Sequence, residues 1–466
     1  MSICNEGENS KPGRRMSARM RWRFFGECLP LALALACMNT GALAGPPAAA
    51  EYGRIFDGAE PGGVLPARAI LETLKAEPAP VPQVKPTAQA HGDVEPRLDE
   101  KRAHPYVAIQ AAYIFGIKET PEIRFGAYLA RSEGDVDVRR EDGTICGGAY
   151  DEDHRDHIDG YLWPFTMCSH FWEADEGDCS KGLCRRRNAW RRGTLLWSGP
   201  EGVLPFYLKG DKARAYDRLG HVAHLLADMA TPAHAHREFH GSDRCFLDDS
   251  YEDWMADGGY RKFNHNDAGG VVPIPWDKKP ADMDSASFPL YYLFYTANQH
   301  ADYFASDRTD GNARQRTDRA GWLDYSGWPD SPTRDQDLAD NDPGDNDDDG
   351  DFTRIASKAF VYSIGATATL YKLFWETTHP RCEIPPVSGS SEIEVRALST
   401  NLVPAQAVEI ERRDPQGGWR SLGSAVRKSR QDESHELWSV AAGGAGGMLR
   451  ARMKNAAGVY SDWCLR

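Results

Sequence analysis

Apolar residues recur at intervals of three and four in four long stretches: HPYVAIQAAYIFG from His104, KARAYDRLGHVAHLLADM from Lys212, PLYYLFYTANQHADYFAS from Pro289 and TRIASKAFVYSIGATATLYKLFWETT from Thr353. That spacing gathers the apolar side chains on one face of a helix, and it predicts a helical region over residues 98–380 with long loops between helices. Past Trp375 the period shortens. SEIEVRALS, AVEIERRD, GGWRSLGSA, HELWSVAA, MLRARMKNAAG and VYSDWCLR are short alternating runs separated by Gly, Pro, Asn or Asp, which predicts a small β-sandwich over 381–466. It is fibronectin type III-like in pattern, and modules of that kind bind or space more often than they catalyse. Residues 45–97 are rich in Pro, Ala and Gly, cannot propagate a long helix, and read as an extended lead-in. The expected fold is mainly α, a helical domain followed by a small β-sandwich.

The first residues change the picture of where the protein works. Arg14, Arg15, Arg19, Arg21 and Arg23 precede the apolar run CLPLALALACMNTGALA, which ends in small residues at Ala42-Leu43-Ala44. That is the layout of a cleaved signal peptide over 1–44, so a secreted or periplasmic protein is expected. The run is short for a membrane-spanning helix. Cys37 invites a lipoprotein reading, but Ala34 stands where such signals usually carry Leu, so a cleaved signal is preferred. Of ten cysteines, seven follow residue 44: Cys146, Cys168, Cys179, Cys184, Cys245, Cys382 and Cys464. Export favours disulfides, and Cys382 and Cys464 bracket the C-terminal module as a candidate pair. A net charge of -14 disfavours duplex nucleic acid as a partner, because affinity for a polyanion comes from Lys and Arg.

The chemistry concentrates between Leu219 and Trp254. His224 and Asp228 lie four apart on a helix and project from one face. Pro232 disfavours helix at Thr231, and the resulting break swings His234 back toward the same place. Asp248 and Glu252, again four apart, follow fourteen residues after His234. A lone histidine on an apolar helix is ordinarily a satisfied core residue, but polar groups repeated in this pattern are costly to bury unless paired or metallated. The pattern points to a metal site.

That spacing, HxxxDxxxxxH followed by an acidic pair, is similar to the metal-binding core of the bacterial zinc-dependent phospholipases C, whose distant relatives include fungal single-strand nucleases. Where the family has His four before the Glu, this chain has Asp248 with Asp249 beside it. Asp248 replacing the imidazole, Asp249 capping the helix and a contribution from His240 all remain open. CSHFWEADEG resembles the family's His-Phe-aromatic-Asp-Pro turn and marks His170, while ICGGAYDEDH resembles its upstream carboxylate element and marks Asp153, with Glu152, Asp156 and Asp135 as competitors. His104 opens a helix as the family's first histidine does.

The resemblance implies two to three zinc ions. Asp153, His170, His224 and Asp228 would hold one, His234, Glu252 and Asp248 a second, and His104 with a bridging Asp228 a third. It implies phosphate-ester hydrolysis by a zinc-activated water, with Asp153 and Asp228 as catalytic carboxylates, on a phospholipid or related substrate, with transient membrane contact. The family completes its third site with an N-terminal Trp that this chain lacks. A single-strand nuclease, and a secreted binding protein with structural metals, are the alternatives. One further acidic loop has Asp345, Asp347, Asp349 and Gly350 spaced like half of a calcium loop, but Ala356 stands where that loop needs Glu. A solvated acidic loop is the expectation there, with Ca2+ as the alternative.

Overall fold

The computed structural model describes residues 103–115, 144–152, 167–177, 188–238, 249–328, 348–386, 391–398, 400, 402–430, 435–442 and 447–466. All of them fall in one compact unit. Its helices are α1 Ala103–Ile114, α2 Ile145–Asp151, α3 Ala189–Ser198, α4 Val203–Leu208, α5 Lys212–Asp228, α6 Pro232–Ala235, α7 Ser250–Ala256, α8 Phe288–Asp302 and α9 Asp348–Thr378.

The four periodic stretches correspond to α1, α5, α8 and α9. Helix α5 starts where Asp211 accepts a hydrogen bond from the Arg214 amide, and it buries Leu219, Val222, Leu225 and Leu226 completely. It stops at Asp228. Thr231 is extended and Pro232 opens α6, because the proline ring clashes with a helical predecessor.

Two glycines allow α2 to cross α5 in backbone contact. A Cβ added at Gly148 would lie 1.9 Å from the Asp217 carbonyl oxygen, and one at Gly220 would lie 2.1 Å from that of Ile145. No side chain larger than hydrogen fits either position.

The C-terminal module is a sandwich of two antiparallel four-stranded sheets. Its strands are β1 Arg381–Glu383, β2 Glu392–Leu398, β3 Ala405–Arg413, β4 Trp419–Ser424, β5 Val426–Arg430, β6 His435–Ala441, β7 Leu449–Asn455 and β8 Cys464–Leu465. The orders are β1-β2-β6-β5 and β4-β3-β7-β8. Alternate residues Ile393, Val395 and Ala397 face Val408, Ile410, Ala451 and Met453 across the core. Strands β1 and β5 lie outside the alternating runs of the sequence, and both are edge strands. Cys382 and Cys464, on β1 and β8, are free thiols whose sulfurs sit 2.6 Å apart. The helices and the sandwich are joined where Glu376 accepts from the Leu402 amide at 2.8 Å and Asn455 donates to the Thr377 carbonyl at 2.9 Å.

Asp349 and Gly350 form part of the first turn of α9, and Asp345 and Asp347 lie outside the described residues. Helical backbone at Gly350 is not the sharp turn that a calcium loop requires there. Trp172 is fully buried and meets Tyr291 edge-on in the core. Trp254 is half-buried against Tyr251 and Phe352. Among the described residues no helix is long and apolar enough to cross a membrane.

Candidate metal centre

Five of the sequence-predicted ligands come together around one carboxylate, Asp228. His170 Nδ1 lies 2.8 Å from Asp228 Oδ2. His224 Nε2 is 3.4 Å from the same oxygen, and His104 Nε2 is 3.4 Å from Oδ1. His234 Nδ1 is 3.9 Å from Oδ1, and its Nε2 reaches Glu252 Oε1 at 2.7 Å. The residues come from α1, the turn after Met167, α5, α6 and α7, elements scattered over nearly 150 positions of sequence.

Local structure aims each ring. His224 Nδ1 faces the Ala149 carbonyl at 2.7 Å. A carbonyl only accepts, so Nδ1 carries a hydrogen and Nε2 is the nitrogen left to face Asp228. The close crossing of α2 and α5 is what brings that carbonyl within reach. His234 is aimed the same way, its Nδ1 donating to the His170 carbonyl at 2.9 Å while Phe171 stacks on its ring at 4.4 Å. This is the arrangement by which metal-binding histidines are held, one nitrogen tied to a backbone oxygen and the other pointed at the ion. His104 stacks on His224 with ring centroids 3.7 Å apart. Cys168, two residues before His170, is disulfide-bonded.

The donor set suits zinc, which accepts imidazole nitrogen and carboxylate oxygen. Ligand atoms of His104, His224 and Asp228 all lie within 4.8 Å of one another, a span one ion can bridge. Burial alone would raise the Asp228 pKa, but His224 and His234, with hydrogen bonds from His170 and His224, hold it well below the usual carboxylate range. The group is therefore a permanent anion ready for a cation. The floor of the site is closed, with His224 and Asp228 side chains 0% and 2% exposed, while His104 at 18% and Glu252 at 28% border solvent.

Asp153, Asp248, His240, Asp156 and Asp135 lie outside the described residues. Of the competitors to Asp153, only Glu152 lies among the described residues. Glu152 is drawn away: Arg192 Nε and Nη2 and His221 Nδ1 all bond its carboxylate. Burial opposes its ionisation, but Arg192 and His221 hold its pKa well below the usual range. Asp151, which the sequence reading passed over, is only 1% exposed and ends α2, the helix that orients His224. Asp249 caps α7, its side chain accepting from the Glu252 amide at 3.0 Å, so it positions Glu252 and is spent as a cap. His221, on α5 with His224, serves the buried Glu152 network; only its partners, not its spacing, distinguish it from a ligand.

No protein-family model matches the chain. No curated protein matches it either. Among solved structures the chain is similar to the alpha-toxin of Clostridium perfringens from an avian strain, at 11% identity and TM-score 0.34 over 78% of this chain and 95% of that one. It is similar also to the alpha toxin of Clostridium absonum, at 11% identity and TM-score 0.32 over 78% and 97%. At these TM-scores neither likeness carries weight for fold or function, and the case rests on the residues.

Proposed function

We propose that the chain is an exported zinc-dependent phosphodiesterase of the phospholipase C kind, holding two to three ions around Asp228. The observation that carries this reading is the convergence of His104, His170, His224 and His234 on that one buried carboxylate, with Glu252 beyond His234.

One ion would be held by His170, His224 and Asp228, with Asp151 or Asp153 completing its shell. A second would lie between His234 and Glu252, and His104 with Asp228 would hold the third. When bound, zinc lowers the pKa of water toward about 7 and neutralises charge on a phosphoryl group in displacement. The chain itself contributes fixed orientation. The Ala149 and His170 carbonyls hold their imidazoles in a single tautomer, and an upstream carboxylate, Asp153 or Asp151, would take the proton from the attacking water. The half-open rim at His104 and Glu252 favours catalysis over a structural staple, because a structural zinc site is closed whereas a catalytic one keeps an open position.

The test is hydrolysis of phospholipid vesicles, followed by release of phosphorylated head group, beside single-stranded DNA and RNA. Head-group release that a chelator stops quickly, before the fold melts, supports the reading. Cleavage of nucleic acid alone would move it to the nucleases. Failure on all three, with unfolding on chelation, would make the metals structural and the β-sandwich the working part.

A further inference from the structure

His234 sits on a four-residue helix, α6, far too short to be rigid by itself. Something outside the metal ligands must hold it. Two residues on, His236 points the opposite way and is buried, and both of its ring nitrogens face oxygens of one neighbouring segment. Nε2 is 2.8 Å from the Phe304 carbonyl, and Nδ1 is 3.1 Å from Asp302 Oδ1. The His236 and Asp302 side chains are each 2% exposed.

Asp302 is the last residue of α8, a helix buried along almost its whole length. The pair therefore fastens the α6 turn to a deeply packed helix. The turn is also closed on itself, the Glu238 amide donating to the Ala233 carbonyl at 2.8 Å, and Arg237 adopts φ 57°, a left-handed conformation uncommon for a residue with a side chain. Such backbone persists where its surroundings over-determine it. Burying a charged pair contributes little to net stability compared with an apolar pair of the same volume. Placement of His234 is the role that the geometry leaves.

We propose that His236 and Asp302 are positioning residues that fix His234 opposite Glu252 and so set the second cation position, separately from the position at Asp228. This rests on the metal reading above, but not on the hydrolase reading. The test titrates the full chain with zinc alone, reading bound metal per chain by elemental mass spectrometry, affinity by competition with a chelating dye, and melting temperature. Asp302→Asn and His236→Gln are expected to weaken the second zinc by about 10–100-fold, as loss of a partner behind a ligand does, while the first zinc keeps its affinity. Asp302→Glu should restore much of the loss. The double variant His236→Phe/Asp302→Leu guards against simple unfolding: it should melt near wild type yet still lack the second ion.

Wild-type zinc affinity in the folded variants, with only the melting temperature changed, would reduce the pair to a structural contact and overturn the proposal. So would a wild-type chain that binds a single zinc, for then no second position exists to be set. Two or more zinc ions in a wild-type chain that hydrolyses no phosphate ester would sink the hydrolase reading and leave this one standing.

Discussion

Asp228 bears more of the account than any other residue, since four imidazoles face its two oxygens. Asp228→Asn keeps the shape but removes the charge. It is expected to lower turnover by more than about a hundredfold with little loss of helix content; near wild-type turnover would contradict the mechanism. Two acids beside the site behave oppositely. Burial, Asp302 and Glu176 push Asp175 up to about 6, against the pull of Arg314, and burial with Glu176 and Asp175 pushes Glu173 up to about 7, against the pull of Arg237. A raised folded pKa contributes stability that is present at low pH and is lost as pH rises through the folded value. Between pH 5.5 and 7.5 the depressed acids Glu152 and Asp228 stay ionised and add no slope, the raised His221 and His236 add to the loss, and buried His300, lowered to about 3, opposes it in part. The metal-free protein should therefore melt about 2–4 °C higher at pH 5.5 than at 7.5, and Asp175→Asn should shrink the difference, as scanning calorimetry would show. His224, Asp228 and His234 are legible in sequence because helix period and a proline break decide where they point. Asp151 is not legible. In the run Asp151-Glu152-Asp153 only long-range partners sort the acids, and Arg192 lies forty residues from the Glu152 it captures.

Elements place the ligands through contacts that sequence period does not encode. The α2–α5 crossing depends on hydrogen at Gly148 and Gly220, and it delivers the Ala149 carbonyl to His224. Gly220→Ala is expected to cost about 3 kcal/mol or more and to weaken zinc along with stability, read by denaturant melts and metal titration together. An unchanged midpoint would mean that the helices part without penalty. Helix α5 and both glycines are visible in the sequence, but α2 and the crossing are visible only in the fold. The missed strands have a similar cause. Arg381–Glu383 is three residues long, and VRKSR in β5 is basic and lacks alternation, as suits edge strands that must not recruit other chains.

At the scale of the whole molecule, the periodic stretches separated helices from sandwich correctly because each packs one face on a shared core. The module's ends meet at Cys382 and Cys464. Hydrogen bonding to Cys464 lowers the Cys382 pKa to about 7 against the opposing effect of burial. Under oxidising conditions the pair should close as a disulfide, blocking alkylation of both thiols until reductant is added; alkylation of both in the air-oxidised protein would show otherwise. In the proposed zinc cluster one carboxylate, Asp228, is the organising group. The direct test is the zinc content of the purified, desalted chain, measured by elemental mass spectrometry beside Asp228→Asn. Two or three zinc ions per chain are expected, and no more than the one between His234 and Glu252 in the folded variant. A wild-type chain that stays folded with less than one zinc would contradict this.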